Sequence, residues 1–442
     1  ASIGWRDQLY MDMTARNDWS STLTKSFFYP SMSLSWIPTA SFTGIKNDVL
    51  SFLKFRINVA EVGNATTPYS NGNYYYAQNN AFKDIAQMYK SMTYALRDLK
   101  PESIFTWETG AEIGLFKDRL HADITYYHKN AKDQLISVNT SNTVGFTRLF
   151  LNAGNIESKG VELQLRGDIL RRENGLNWTA TVNFSKDRNK VLELYPKLDL
   201  KDYQIGWTWG IPTMASEGEP WGALIGNGYD RTTDGAIKVT GDGLPMSKPG
   251  QVIDNIVPDY MASLRNDFKY RDFSFGFMLD FRKGGDIWSQ TMSHAYATGI
   301  AEITAANGVR EHAIVAGRDV MKDERFITED GKANTIETNA QDWFKNGDID
   351  EAFVFDGSFL KLREAYLTYN LPQHLYNKIK GIKRASVSLI GSNLALIWVH
   401  KSNTMRLDPE SGGVSSDSRG LGFEQASVPN SRSIGLKVGF TF

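Results

Sequence analysis

Between residues 160 and 185, apolar and polar side chains take turns. Val161, Leu163, Leu165 and Ile169 alternate with Glu162, Gln164, Arg166 and Asp168. A turn containing Asn-Gly follows at 171–175. After it Leu176, Trp178, Ala180, Val182 and Phe184 alternate with Asn177, Thr179, Thr181, Asn183 and Ser185. Side chains of a strand point alternately to its two faces, so the pattern predicts a hairpin with one apolar and one polar face. Each arm has about ten residues, the length a tilted strand needs to cross a bilayer.

The same alternation recurs along the chain. It predicts strands over 3–16, 28–37, 51–62, 105–116, 120–137, 260–269, 273–282, 359–371, 385–399 and 432–442, which with the two arms above makes about twelve. The connections fall into two classes. Those at 117–119, 171–175 and 270–272 are short, whereas 63–104, 138–159, 187–259, 284–358 and 400–431 are long. Short turns at one rim and long loops at the other is the arrangement of an up-and-down transmembrane β-barrel. Loops of that length are unusual in a compact domain unless they carry function. Trp36, Tyr126, Tyr127, Trp178, Trp288 and Trp398 lie near strand ends, where aromatic girdles of membrane barrels are found.

Composition agrees. Aromatic residues make up 12% and there are 38 glycines among 442 residues, a mixture suited to strands joined by turns. A mean hydropathy of −0.37 does not oppose a membrane barrel, because only half of each strand faces lipid. The 49 basic and 50 acidic residues leave no basic excess, so nucleic acid is not an expected partner. With no cysteine, disulfides and thiolate chemistry are excluded. The six histidines show no metal-ligand spacing, and neither a phosphate-binding glycine loop nor a nucleophile–base pattern occurs. We therefore expect no catalytic residues, no metal and no cofactor. The chain starts within a strand-like alternation (Leu9, Met11 and Met13 against Tyr10, Asp12 and Thr14) and reads as a fragment of a longer protein.

Several segments resemble one family. Phe28-Tyr29-Pro30-Ser31-Met32-Ser33-Leu34-Ser35-Trp36 and the stretch Leu53-Lys54-Phe55-Arg56 through Val62-Gly63-Asn64 are similar to successive strand motifs of SusC/RagA-like TonB-dependent outer-membrane transporters. So are 152–163 (NAGNIESKGVEL), 184–191 (FSKDRNKV), Glu219-Pro220-Trp221-Gly222, Pro258-Asp259-Tyr260, Gly357-Ser358-Phe359-Leu360-Lys361-Leu362-Arg363, Ser392-Asn393-Leu394 and Leu407-Asp408-Pro409-Glu410. The final alternation Ile434, Leu436, Val438, Phe440 and Phe442 looks like the signal that barrel-assembly machinery reads in outer-membrane proteins. One departure concerns the family's Asp/Asn-rich loop, of which Thr240-Gly241-Asp242-Gly243 keeps little, with Asp254 further on; a calcium site needs about six to eight oxygens.

The resemblance implies an all-β, antiparallel barrel of which residues 1–442 form the C-terminal portion, about the last twelve of roughly 22 strands. It further implies active import across the bacterial outer membrane. Oligosaccharide or oligopeptide would be captured with a SusD-like surface lipoprotein as lid, and transport energised by TonB through an N-terminal plug. The ligand would meet aromatic faces and hydrogen-bonding groups in the long loops. Tyr203, Trp207, Trp209, Trp221, Trp288 and Trp343 are the substrate-contact candidates, whereas Asp408, Pro409 and Glu410 are expected to shape a loop. Two alternatives compete: a passive outer-membrane channel of about twelve strands, since an even number can close, and a soluble β-rich glycan-binding protein.

Overall fold

The computed structural model describes every residue except 24, 71, 80–82, 84, 97, 208–209, 377–380 and 412–421. The chain forms two compact units. The first comprises Ala1–Gly167, Asp187–Tyr203 and Ser216–Pro220, and the second Asp168–Lys186, Gln204–Ala215 and Trp221–Phe442.

The wall of the first unit contains β1 (Ser2–Trp5), β2 (Leu9–Asp18), β3 (Phe27–Trp36), β4 (Leu50–Asn64), β5 (Glu102–Leu115), β6 (Leu120–Asn139) and most of β7 (Arg148–Leu170). Each strand pairs antiparallel with the next. The register sorts the side chains onto two faces. On one, Lys54 and Arg56 donate to Glu112 at 2.8 and 3.1 Å, and Arg56 reaches on to Asp123 and Thr125, both at 2.5 Å. On the other, Ile57, Val59, Phe105, Ile124 and Val161 stand exposed in a continuous apolar band.

Two expectations need correction here. Segment 3–16 is a hairpin rather than one strand: Arg6 and Asp7 take positive φ, and Trp5 pairs with Leu9 across the turn. Neither residue is the glycine or asparagine that marks such a turn in a sequence. The loop expected at 138–159 is mostly strand, because β6 runs to Asn139 and β7 begins at Arg148. The ladder is interrupted at Asp133 and Gly154, which take φ of 54° and 86°. Beyond that kink Ile136, Val138, Leu151 and Ala153 build a small core of their own.

In the second unit most of β8 (Asn177–Glu193), β9 (Pro258–Tyr270), β10 (Phe273–Gly284), β11 (Phe359–Asn370), β12 (Arg384–Val399) and β13 (Ser433–Thr441) pair antiparallel in that order. Their apolar face carries Trp178 stacked on Phe268 at 5.6 Å, Phe268 on Phe275 at 6.1 Å, and Phe281 near Trp398 at 6.4 Å. Of the girdle candidates, Trp36, Tyr126, Trp178 and Trp398 share the apolar faces of their units. Tyr127 does not: the register puts it one residue out of phase with Tyr126, over Gly160, where its hydroxyl donates to Asp187 at 2.7 Å. A Cβ on Gly160 would come within 2.3 Å of that ring, which accounts for the glycine in the Lys159-Gly160-Val161 motif. The second unit repeats the device, with Tyr366 crossing Gly276 to donate to Asp267 at 2.7 Å. Trp288 is no girdle residue either; it lies in a loop core.

The described parts of the long loops of the second unit carry regular structure. Strands Pro212–Ser216, Ala223–Tyr229 and Ser247–Asn255 lie side by side in one sheet, and helices Gln290–Thr298 and Ala340–Lys345 are capped by Ser289 and Asn339. One core gathers Ile211, Leu224, Trp288, Met292, Phe353 and Phe423, and another Ile237, Ile314, Phe326, Trp343 and Phe344. A tight approach joins loop to wall: a Cβ on Gly357 would lie 2.1 Å from the Gly285 carbonyl oxygen. A backbone atom cannot swing aside, so Gly357→Ala should cost about 1–3 kcal/mol, read as a lower unfolding midpoint. An unchanged midpoint would mean that the loop yields without strain.

Candidate ligand cavity in the loops

The strand Ala223–Tyr229 ends against the turn Asp350–Phe353. Asp350 accepts from the Asn227 amide and Glu351 from the Tyr229 amide, both at 2.8 Å. Glycines make this approach possible, since a Cβ on Gly226 would fall 2.6 Å from the Asp350 carboxylate. Arg231 closes the arrangement by donating to Glu351 at 2.9 Å and Glu324 at 3.0 Å. The helix Gln290–Thr298 is fixed at its start by the buried Glu424 carboxylate, which accepts from the Ser289 and Thr291 hydroxyls at 2.5 and 2.7 Å. Its Tyr296 hydrogen-bonds Thr404 at 2.8 Å.

These elements enclose a cavity of about 690 Å³ within the second unit. Tyr229, Tyr296, Trp343 and Phe344 supply aromatic wall, and Arg231, Asp254, Asp286 and Glu351 supply charge. This is the size and mixture of a small-ligand site. Burial pushes the Asp286 carboxyl up, and the neighbouring Asp254 adds to it, to about 8. Among the described residues no group of three histidine, aspartate or glutamate side chains converges on a metal site.

A second cluster ties the loop after β12 to the polar face of β11. Lys361, whose side chain is 6% exposed, pairs with Asp408 at 2.5 Å and Glu410 at 2.6 Å. Arg363 pairs with Glu410 at 2.7 Å and also with Asp280. Burial alone would raise the Glu410 carboxyl, but hydrogen bonds from Arg363 and Lys361 outweigh it and hold it down to about 2. The Asp408-Pro409-Glu410 motif thus fastens the loop through ion pairs.

The sequence candidates are dispersed. Tyr203 packs against the small core of the first unit, Trp207 stands 60% exposed, and Trp221 is half-buried. Trp209 lies outside the described residues. Trp288 is 4% exposed inside a loop core, whereas Trp343 reaches the cavity. Sequence reasoning missed Tyr229, Tyr296, Phe344, Arg231, Glu351 and Asp286. Their meeting depends on loop packing over more than a hundred residues. The one local signal was Gly226-Asn227-Gly228, small residues where two backbones approach.

Comparison with known proteins places this geometry. Residues 1–309 match the family described as TonB dependent receptor-like, beta-barrel. Two curated relatives from Formosa agariphila are similar over nearly the whole chain. TonB-dependent receptor P26 is 26% identical, covering 100% of this chain and 45% of its own length, and TonB-dependent receptor P3 is 22% identical, covering 97% and 43%. The chain thus spans a little under half the length of these relatives. Among solved structures the RagAB peptide transporter superposes with a TM-score of 0.75 at 20% identity, covering all of this chain and 47% of that one. The RagAB importer in its open-open state gives 0.72, again at 20% identity, covering 100% and 46%. These superpositions show that the chain shares the fold of the matched part of those transporters. The chain belongs to the TonB-dependent receptor β-barrel family.

Proposed function

We propose that this chain is the C-terminal barrel wall, with its outer loops, of an active nutrient importer in the bacterial outer membrane. The observation that carries this reading is the joining of a two-faced wall to an ordered loop assembly with a ligand-sized cavity. A passive pore has no need of the ion-paired anchor at Lys361 and Arg363 or of packed loop cores, and a soluble glycan binder would not leave Ile57, Val161, Phe275 and Phe440 exposed on its strands. The apolar face meets lipid and the charged face the wet interior. A preceding part of the same protein supplies plug and early strands, TonB transmits the energy, and a SusD-like lipoprotein closes over the loops. Oligopeptide or oligosaccharide is the cargo, with Trp343, which lines the cavity, as one of its contacts.

The test is uptake of labelled oligopeptide and oligosaccharide pools by cells carrying or lacking the full-length protein, each with and without TonB. Import of one pool should require both, and the purified protein should bring a surface lipoprotein with it. Uptake that persists without TonB would replace active import with passive diffusion.

A further inference from the structure

The apolar face of the first unit changes chemistry abruptly at one level. On β7 that face runs Leu165, Leu163 and Val161, then Lys159 and Glu157. Their partners on β6 run Ala122, Ile124 and Tyr126, then His128 and Asn130. β8 adds to the change. Tyr127 crosses Gly160 on the polar face and ends on Asp187, so Arg188 and Lys190, one and three residues on, fall on the opposite face with Lys159. Exposure agrees: Arg188 and Lys190 are exposed, whereas Asp187 and Asn189 are half-buried.

Among the described residues of these three strands, the face carries one carboxylate between Val161 and the interruption at Asp133 and Gly154. It is Glu157, which meets Lys159 at 2.8 Å and His128 at 2.9 Å. Lys190 has no ion pair among the described residues. Positive charge is therefore in excess at this level, at the end of the strands that leads into the long loops. A strand rises about 3.3 Å per residue, so Lys159 stands about 7 Å past Val161. Trp107 and Tyr126 lie at the same height with ring centroids 5.5 Å apart, as interfacial aromatics do. If Val161 and Leu163 touch acyl chains, these cations reach headgroup depth, with their stems along the hydrocarbon and their charges above it.

We propose that Lys159, Arg188 and Lys190 form a docking surface for the phosphate of a lipid headgroup in the outer leaflet. The lipid's chains cover Val161 and Leu163, and its phosphate supplies the negative charge that Glu157 alone does not. A free phosphate would meet the same cations but would make no use of the apolar band that continues from them. The proposal rests on the reading that this band faces lipid, and adds a choice among lipids to it.

The probes are phosphatidic acid and phosphatidylcholine carrying the same nitroxide-labelled acyl chain, each as a minor component of phosphatidylcholine bilayers. They quench bimane on Val161→Cys in the full-length protein. Phosphatidic acid should be enriched about fivefold over phosphatidylcholine at this position, the gain from roughly one uncompensated cation. Excess inorganic phosphate should leave that preference in place; its loss would make the cations a free-anion site and overturn the lipid assignment. Arg188→Gln combined with Lys190→Gln should bring quenching by phosphatidic acid down to the phosphatidylcholine level and leave the latter unchanged. A preference retained in that variant would remove these residues from the site. Equal quenching by the two lipids without those substitutions would overturn the proposal while the lipid-facing reading stands, whereas quenching by neither would remove that reading and the proposal with it.

Discussion

Arginine at position 57 should prevent assembly, whereas arginine one residue further on should be tolerated. Ile57 is 47% exposed at the middle of the apolar face of β4, flanked by Phe55 and Val59. On the proposed reading that exposure is to hydrocarbon, where an arginine near the bilayer midplane costs about 2–4 kcal/mol. Asn58 faces the other way, opposite Glu108, so a cation there gains a partner. The check is heat-modifiable migration and outer-membrane yield of full-length Ile57→Arg and Asn58→Arg. Equal yields of the two would mean that the faces are not divided between lipid and water.

Lys361→Met should release the loop after β12. The side chain is buried between Asp408 and Glu410, so its removal leaves Asp408 without the ammonium and Glu410 with Arg363 alone of the two cations. Breaking a buried pair from one side costs about 3–5 kcal/mol, because an uncompensated charge stays behind. Limited proteolysis should cut faster around the anchored stretch 400–411 in the variant and leave the wall strands intact. The same cluster sets an acid limit. Glu410 is depressed in the folded protein to about 2, below its usual value near 4.3. Its contribution is therefore complete above about pH 4.3 and is lost as pH falls from there towards 2. Protease sensitivity of the wild-type loop should rise across that window, and in Glu410→Gln the rise should be smaller. A loop equally protected in Lys361→Met and wild type would deny the anchor its role.

The wall was legible because a strand's period of two is local: each run from Leu53 to Val59 or from Phe273 to Phe281 declares its two faces without knowing its neighbours. Reading failed where backbone conformation overrode residue type. Arg6-Asp7 turns the chain without the Asn-Gly or Asp-Gly of a two-residue hairpin, and Asp133 and Gly154, both at positive φ, interrupt the ladder of β6 and β7 midway. Neighbouring aromatics were also indistinguishable until the register was known, which is why Tyr126 and Tyr127 were both read as girdle. The loops hid most. A tryptophan rank in a long loop says that something is packed or bound, and Trp288 and Trp343 each belong to a different core. The cavity is assembled from Tyr229, Asp286, Tyr296 and Glu351, which share no spacing that a one-dimensional reading can detect.

Which medium each face of the wall touches is the question on which everything above turns, and the absence of cysteine from this chain makes it measurable. Single cysteines introduced as Val161→Cys and Glu162→Cys, labelled with bimane in the full-length protein in bilayers, report their surroundings through quenching by nitroxide-bearing lipid. Strong quenching at 161 and little at 162 is the predicted result; equal quenching at both, or stronger quenching at 162, would contradict it.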